Sequence, residues 1–350
     1  MSRGAIAKIN LSALQHNLAV VRALAPKSKI LAMIKSRAYG HGLIEMARAL
    51  SGADGLGVAC LEEAMVLREA GIKNQLIAMS GFFEASEIPL FEQHDITAVI
   101  HNPEQVKMLT TAKIPLNCWL KLDSGMHRLG FPLKEAEEVF AQVKPSVVMT
   151  HLATADEIDN QDAQAQISKF NHAVKNLKTE FSITNSAGVI VFPEAQKNWV
   201  RPGIMLYGAS PFAHKTAQEL NLQPVMTLQA QLISIHEQQA GDKIGYGGTY
   251  TCEKPMTIGT LAIGYGDGYP RHARNGTPVL IHGQRCPIVG RVSMDLITVD
   301  LSNVENAKIG DRVIMWGEGL PVEEIAACAG TISYELLCDV SARVKFEYIP

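Results

Sequence analysis

The 350-residue chain contains no stretch approaching the ~20 consecutive apolar residues that a bilayer-spanning helix needs. It also lacks an excess of basic charge: 32 lysines and arginines face 35 acidic residues, for a net charge of −3. Neither nucleic acid nor a membrane is therefore expected as a partner. Cysteines are few and scattered. The six (Cys60, Cys118, Cys252, Cys286, Cys328, Cys338) form no Cys-x-x-Cys pair, so reduced thiols are expected, with no disulfide framework and no metal site. The opening Met-Ser-Arg-Gly-Ala-Ile-Ala-Lys-Ile-Asn has no apolar signal-peptide core and reads as structure, which leads us to expect a cytoplasmic protein. Internal repeats and low-complexity tracts do not stand out. With 47% hydrophobic and 19% charged residues, the composition is that of a globular chain long enough for two domains, or for one large barrel with an appendage.

Short apolar runs alternate with amphipathic segments from residue 29 to about 206. The expected strands are 29–34, 55–59, 75–79, 97–100, 116–122, 147–151, 181–184 and 199–201, with helical patterns such as 61–70 and 161–178 between them. Strand and helix alternating eight times predict an α/β fold with a parallel sheet closed into a (β/α)8 TIM-like barrel; an open doubly wound sheet is the alternative. Residues 5–9 form a surplus strand ahead of the barrel. After Leu222-Gln223-Pro224 strands dominate, at 226–236, 258–263, 278–281, 287–289, 297–301 and 312–316. The expected domains are thus 1–224, a barrel, and 225–350, a mostly-β domain, with residues 1–10 pairing with the latter.

The most telling segment is Lys35-Ser36-Arg37-Ala38-Tyr39-Gly40-His41-Gly42, directly after the run Ile30-Leu31-Ala32-Met33-Ile34. A lysine held at the end of a buried strand has a destabilised ammonium, and the neutral amine can form a Schiff base. Tyr39 adds a hydroxyl, and Gly40 and Gly42 permit close approach of backbone and ligand. In a β/α barrel the active site lies at the C-terminal strand ends. Other polar segments fall there: Lys121-Leu122-Asp123-Ser124-Gly125-Met126-His127-Arg128-Leu129-Gly130, His151-Leu152-Ala153-Thr154-Ala155-Asp156, Asn185-Ser186-Ala187-Gly188 and Arg201-Pro202-Gly203-Ile204. Taken singly, each has an ordinary explanation as a turn, a solvated charge, a core histidine, a helix cap or a strand end.

Taken together and in this order, the segments resemble alanine racemases over nearly the whole chain. The pyridoxal phosphate (PLP) lysine motif of that family reads Lys-Ala-Asn-Ala-Tyr-Gly-His-Gly, and this chain departs from it at Ser36 and Arg37. The similarity continues through Gly245-Tyr246-Gly247-Gly248-Thr249-Tyr250, Gly264-Tyr265-Gly266-Asp267-Gly268-Tyr269-Pro270-Arg271, Gly290-Arg291-Val292-Ser293-Met294-Asp295 and Thr331-Ile332-Ser333-Tyr334-Glu335.

The resemblance implies a role for each match. Lys35 and Tyr246 would be the two catalytic bases, one on each face of the substrate α-carbon, with Lys35 also bonding PLP. Tyr39, Ser186, Gly203, Ile204 and Tyr334 would hold the phosphate, and Arg201 the pyridine nitrogen. His151 would bridge Arg201 and Tyr246; an unperturbed tyrosine has a pKa of about 10, so a tyrosine base needs help to act near neutrality. Arg128 and Met294 would take the substrate carboxylate, with Lys121, a residue often carbamylated in this family, supporting Arg128. Asp156, Tyr265, Arg271, Arg291 and Asp295 would line the entrance. The activity implied is PLP-dependent interconversion of L- and D-alanine, supplying D-alanine for peptidoglycan, in a homodimer with shared active sites. A broad-specificity amino-acid racemase is the alternative. A decarboxylase of the same architecture is the further rival, disfavoured by Tyr246 and by Arg201 where such enzymes place an acid.

Overall fold

The computed structural model describes residues 4–157 and 161–350; the part of the 1–10 pairing expectation that precedes Gly4 lies outside the described residues. The chain divides into two compact units. One comprises Gln15–Leu206 with Pro211–His214; the other comprises the chain as far as Leu14, Tyr207–Ser210 and Lys215–Pro350.

In the first unit, β2 (Lys29–Met33), β3 (Gly55–Val58), β4 (Gln75–Ala78), β5 (Ile96–Ile100), β6 (Cys118–Asp123), β8 (Val147–Met149), β9 (Glu180–Ser182) and β10 (Trp199–Val200) form a parallel barrel. Closure comes from β10 pairing with β2, Trp199 opposite Lys29 and Val200 opposite Ile30. These strands are buried on both faces, which explains why Ile30-Leu31-Ala32 and Val147-Val148-Met149 read as unbroken apolar runs without alternation. A short β7 (Phe131–Pro132) adds to the end of β6. Asn102 caps the helix Pro103–Ala112 by accepting from the Gln105 N–H, and Asn185 does the same for Ser186–Val191 through Gly188.

The second unit is mostly β. β1 (Ile6–Asn10) lies between β11 (Met226–Gln238), antiparallel to it, and β19 (Lys345–Ile349), parallel to it. From β11 the sheet continues through β18 (Arg312–Trp316) to the hairpin of β15 (Pro278–Ile281) and β16 (Gln284–Pro287), while β14 (Met256–Leu261) also pairs with β11 and carries β17 (Ile297–Asp300) on its other edge. A separate two-stranded ribbon pairs β12 (Lys243–Ile244) with β13 (Tyr250–Thr251). No helix among the described residues is long and apolar enough to cross a membrane.

All eight barrel strands lie where the alternation predicts, with ends displaced by a residue or two. The strand expected at 287–289 is instead Gln284–Pro287. His282 and Gly283, with φ of 51° and 76°, make the tight two-residue hairpin turn that fixes its start, and polar Gln284 and Arg285 leave its first half without an apolar run. The helix expected over 161–178 spans Asp162–Ala173. Unforeseen elements include β19, the short strands β7, β12 and β13, and two helices, Val322–Ala329 and Ser333–Asp339.

Candidate active site

Lys35 follows the last residues of β2, but the chain does not remain extended. Ser36, Arg37, Ala38 and Tyr39 have φ of 55°, 53°, 55° and 52°, four successive non-glycine residues in the left-handed region. Each costs roughly 1–2 kcal/mol relative to the right-handed form. Ala38 N–H donates to Ile34 O at 2.8 Å, Gly40 N–H to Ser36 O at 3.0 Å and Gly42 N–H to Arg37 O at 2.9 Å, closing the turn. His41 anchors its far end from a fully buried position, its Nδ1 at 2.8 Å from Tyr39 O. The turn corrects the sequence expectation of a buried lysine: Lys35 is exposed, while Ala38 and Tyr39 are buried. A left-handed turn swings the lysine off the strand axis and directs the tyrosine inward.

Tyr39 is directed at Gly203. A β-carbon added to Gly203 would stand 2.2 Å from the Tyr39 hydroxyl oxygen, so any larger residue there would force Tyr39 to move. The Gly203 N–H donates to Ser186 Oγ at 2.8 Å, and Ile204 opens the 3-10 turn Ile204–Tyr207, where the first amides have no acceptor inside the turn. Hydroxyl, hydroxyl and amide thus form a small cradle for an anion.

Arg201 lies 3% exposed at the end of β10. Its Nη1 donates to Ser182 Oγ at 2.6 Å; its Nη2 donates to Thr150 O at 2.6 Å, Ile183 O at 3.2 Å and His151 Nδ1 at 3.2 Å. Nε has no acceptor among the described residues, which leaves it for a ligand. Burial pushes the guanidinium down to about 9, so it is still charged at neutral pH. Since arginine only donates, His151 must accept at Nδ1 and carry its proton on Nε2. Burial, then the charges of Arg201, Lys121, Arg128 and Lys35, hold His151 well below the usual imidazole range, hence neutral.

Lys121 is 7% exposed on β6. Burial, followed by Arg201, Arg128 and Lys35, pushes its ammonium down to about 8; Asp123 opposes them. Asp123 serves mainly the loop beyond it. Burial alone would raise its carboxyl, but N–H bonds to Oδ1 from Gly125, Met126 and His127 at 2.9, 3.0 and 3.1 Å hold it below the usual range. That loop carries Arg128, which is exposed, as is Asp156.

The remaining candidates lie in the second unit. Tyr246 follows Gly245 in the turn between β12 and β13 and is 73% exposed. The Arg291 guanidinium lies beside Gly247, 3.5 Å from where a β-carbon would be. Tyr265 and Met294 occupy two loops joined by backbone bonds, Tyr265 N–H to Ser293 O at 3.0 Å and Gly266 N–H to Met294 O at 2.9 Å. Arg343 ties the same loops, reaching Asp295 at 2.5 Å and the buried Asp267 at 3.5 Å. Arg271 is exposed and Tyr334 half-buried on the helix Ser333–Asp339.

Within the first unit, then, the structure brings together Tyr39, Ser186, Gly203 and Ile204, and separately Arg201, His151 and Lys121. Within the second it sets Arg291 beside Gly247, the residue after Tyr246, and joins the loop of Tyr265 to that of Met294 and Asp295. Sequence reasoning missed Thr150, Ser182 and Arg343, whose hydrogen bonds come from residues distant in the chain and leave no local pattern. Among the described residues no group of histidine, cysteine and carboxylate side chains is placed to hold a metal.

Four cations (Lys35, Lys121, Arg128, Arg201) bear on one another in the barrel, with Asp123 as the carboxylate opposing them at Lys121. Together with the cradle at Gly203, this favours a ligand that brings negative charge, and these residues fit a phosphorylated, carboxylate-binding cofactor site.

Comparison with known proteins agrees. Residues 9–211 match the alanine racemase N-terminal domain family and residues 225–348 the alanine racemase C-terminal domain family. The alanine racemase of Coxiella burnetii (strain RSA 493) is 49% identical over 98% of both chains, and that of Vibrio cholerae 45% identical over 99% of this chain and 98% of the other. Among solved structures, the biosynthetic alanine racemase from Pseudomonas aeruginosa superposes with a TM-score of 0.97 at 44% identity, over 100% of each chain. The Bartonella henselae alanine racemase with covalently bound pyridoxal phosphate superposes with a TM-score of 0.90 at 28% identity, over 99% of each.

Proposed function

The chain belongs to the alanine racemase family, and from that premise we propose that Lys35 and Tyr246 are the two bases with which it interconverts L- and D-alanine. Its cofactor is pyridoxal 5′-phosphate, which when bound acidifies the substrate α-proton by withdrawing electrons. The observation that carries the site assignment is the convergence of Tyr39, Ser186, Gly203 and Ile204 on one anion cradle beside a barrel rim of four cations.

The residues divide the work as follows. Tyr39, Ser186 and the amides of Gly203 and Ile204 hold the phosphate, with Tyr334 as a further hydroxyl. Arg201 offers Nε to the pyridine nitrogen while its other nitrogens are fixed by Ser182, Thr150, Ile183 and His151. A guanidinium there stays protonated at neutral pH, so electron withdrawal stays moderate, which suits return of the proton over diversion to other products. Arg128 and the backbone at Met294 orient the substrate carboxylate. Lys35 holds or takes a proton on one face and Tyr246 on the other. His151, neutral and protonated on Nε2, can donate to the Tyr246 oxygen and stabilise its anion. Lys121, held down to about 8, has an appreciable neutral fraction near pH 7.5 and can react with carbon dioxide; the resulting carbamate would reverse its charge and pair with Arg128. Asp156, Tyr265, Arg271, Arg291 and Asp295 make a polar entrance. Residues 1–224 supply the cofactor site in this scheme and 225–350 the second base.

Tyr246 is 73% exposed, whereas a tyrosine serving as a base must be shielded from water and set against a partner donor. A homodimer supplies that cover, each site joining the barrel of one subunit to Tyr246 of the other. The product D-alanine suits a role in peptidoglycan supply, in the cytoplasm where such precursors are made.

Chiral chromatography of a panel of L-amino acids incubated with the purified holoenzyme tests this function. D-Alanine should accumulate fastest, and Lys35→Ala should abolish it along with the borohydride-reducible bond between protein and cofactor. Comparable turnover of bulkier amino acids would favour the broad-specificity alternative, and no racemisation at all would sink the proposal.

A further inference from the structure

Glu63, in the first turn of the helix Leu61–Glu69, has the sequence signature of an ordinary solvated helix charge. In the structure both its carboxylate oxygens are committed to backbone. Oε1 accepts from the Ser36 N–H at 2.7 Å and the Arg37 N–H at 3.4 Å, and Oε2 accepts from the Ala59 N–H at 2.8 Å. One carboxylate therefore spans two segments, the loop after β3 and the left-handed turn that begins beside Lys35. Among the described residues no other side chain accepts from the Ser36 or Arg37 amides. Serine, arginine, alanine and tyrosine all prefer right-handed φ, so residues 36–39 stay left-handed only if their surroundings compel it. A charged acceptor facing two successive amides is the strongest device available for that.

We propose that Glu63 is a positioning residue for the racemisation: it holds residues 36–39 in the left-handed turn, and so fixes the direction in which Lys35 leaves the barrel and the placement of the Tyr39 hydroxyl against Gly203. The proposal rests on Lys35 being the cofactor lysine. It distinguishes Glu63 from its amide analogue. A glutamine has one acceptor oxygen; satisfying Ser36 and Arg37 with it turns the NH2 group toward the Ala59 N–H, donor against donor, and the reverse orientation abandons the turn. The arrangement also gives the exposed Arg37 a particular meaning. Asparagine tolerates left-handed φ better than arginine does, so Arg37 makes this turn more dependent on Glu63.

The test compares E63Q, R37N and the double variant with the wild type. Borohydride trapping first locates the cofactor on Lys35 by mass spectrometry. Failure of that step overturns the Lys35 assignment whatever Glu63 does. In the apoprotein, hydrogen exchange at the Ser36 and Arg37 amides should be about tenfold faster in E63Q, the size of effect expected for one lost charge-assisted hydrogen bond. In the holoenzyme kcat should fall about tenfold, while KM for alanine stays within about twofold because Glu63 touches neither Arg128 nor Met294. R37N should change little alone yet restore most of the loss in the E63Q background. Wild-type exchange at those amides in E63Q, or a kcat loss that R37N does not relieve, overturns the proposal. If E63Q does not fold, E63D, charged but one methylene short, replaces it with the same expectations.

Discussion

Gly203→Ala is the sharpest perturbation of the phosphate cradle. Gly203 is not among the residues with positive φ, so alanine brings no backbone penalty and the effect is steric. Its methyl would stand 2.2 Å from the Tyr39 hydroxyl oxygen, 3.0 Å from Tyr39 Cζ and 3.6 Å from Met33 Cβ. A carbon and a hydroxyl oxygen need more than 3 Å, so Tyr39 must retreat by about 1 Å. Its own φ of 52° and the bonds that close the turn oppose that retreat. Overpacking of this kind costs about 1–3 kcal/mol. Directed at the cofactor site, that weakens PLP binding by roughly 5- to 150-fold at 1.4 kcal/mol per decade. Titration of apoprotein with PLP, followed by absorbance, measures it directly. A double-mutant cycle with Tyr39→Phe locates the cause: removing the hydroxyl removes the closest contact, so Gly203→Ala should cost less in the Tyr39→Phe background, with a coupling of about 1 kcal/mol or more. Strictly additive costs, or wild-type affinity in Gly203→Ala, would show that Tyr39 and Gly203 do not share the phosphate.

Arg201→Glu places a carboxylate where the pyridine nitrogen is expected; racemisation should slow while the fraction of alanine diverted to pyruvate rises, and a wild-type product ratio counts against the assignment. Burial pushes His41 down to about 4, against 6.5 when unfolded. Stability is therefore intact above pH 6.5 and is lost as the pH falls toward 4, by about 1.4 kcal/mol per unit and ~3 kcal/mol in all. Denaturant unfolding at pH 7 and 4.5 should show a pH dependence shallower by about 2 kcal/mol in His41→Asn than in the wild type, and equal dependences contradict a neutral native His41. Lys121, at about 8, is increasingly neutral as pH rises, so a carbamate carbon signal from labelled bicarbonate should grow from pH 7 to 9 and vanish in Lys121→Arg.

The barrel was legible because its strands are buried on both faces, which writes each as an apolar run between helical patterns. The second unit was less so. Gln284 and Arg285 belong to a half-exposed hairpin strand, and β19 carries Lys345 and Glu347 on a strand that is mostly exposed or half-buried, so neither shows an apolar run. Residue types of the candidate site were readable from their order along the chain, but their surroundings were not. Lys35 looked buried because Ile30–Ile34 are, and the left-handed turn that exposes it has no local signature: Ser36, Arg37 and Ala38 are not residues that favour positive φ. The turn depends on long-range partners, Glu63 among them. Likewise the neutral state of His151 follows from its burial and then from four cations on three separate segments. Spacing can nominate such groups, while only the folded arrangement fixes their charge.

Subunit mixing tests the shared site, because Lys35 and Tyr246 would then come from different chains. In a two-fold dimer both sites are built from the same pair of surfaces, so each lesion inactivates both sites of its own homodimer. Mixing Lys35→Ala with Tyr246→Phe changes the count. In a heterodimer one site receives both lesions and the other receives neither. Random reassortment at equal ratio makes half the dimers mixed, each with one intact site of two, so activity should recover to roughly a quarter of wild type by this symmetry. If a single chain supplied both residues, every site would keep a lesion and mixing would restore nothing. Native mass spectrometry of the mixture establishes that exchange has occurred. Heterodimers present without recovered activity would rule out the shared site, and would leave the 73% exposed Tyr246 without the cover its role as a base demands.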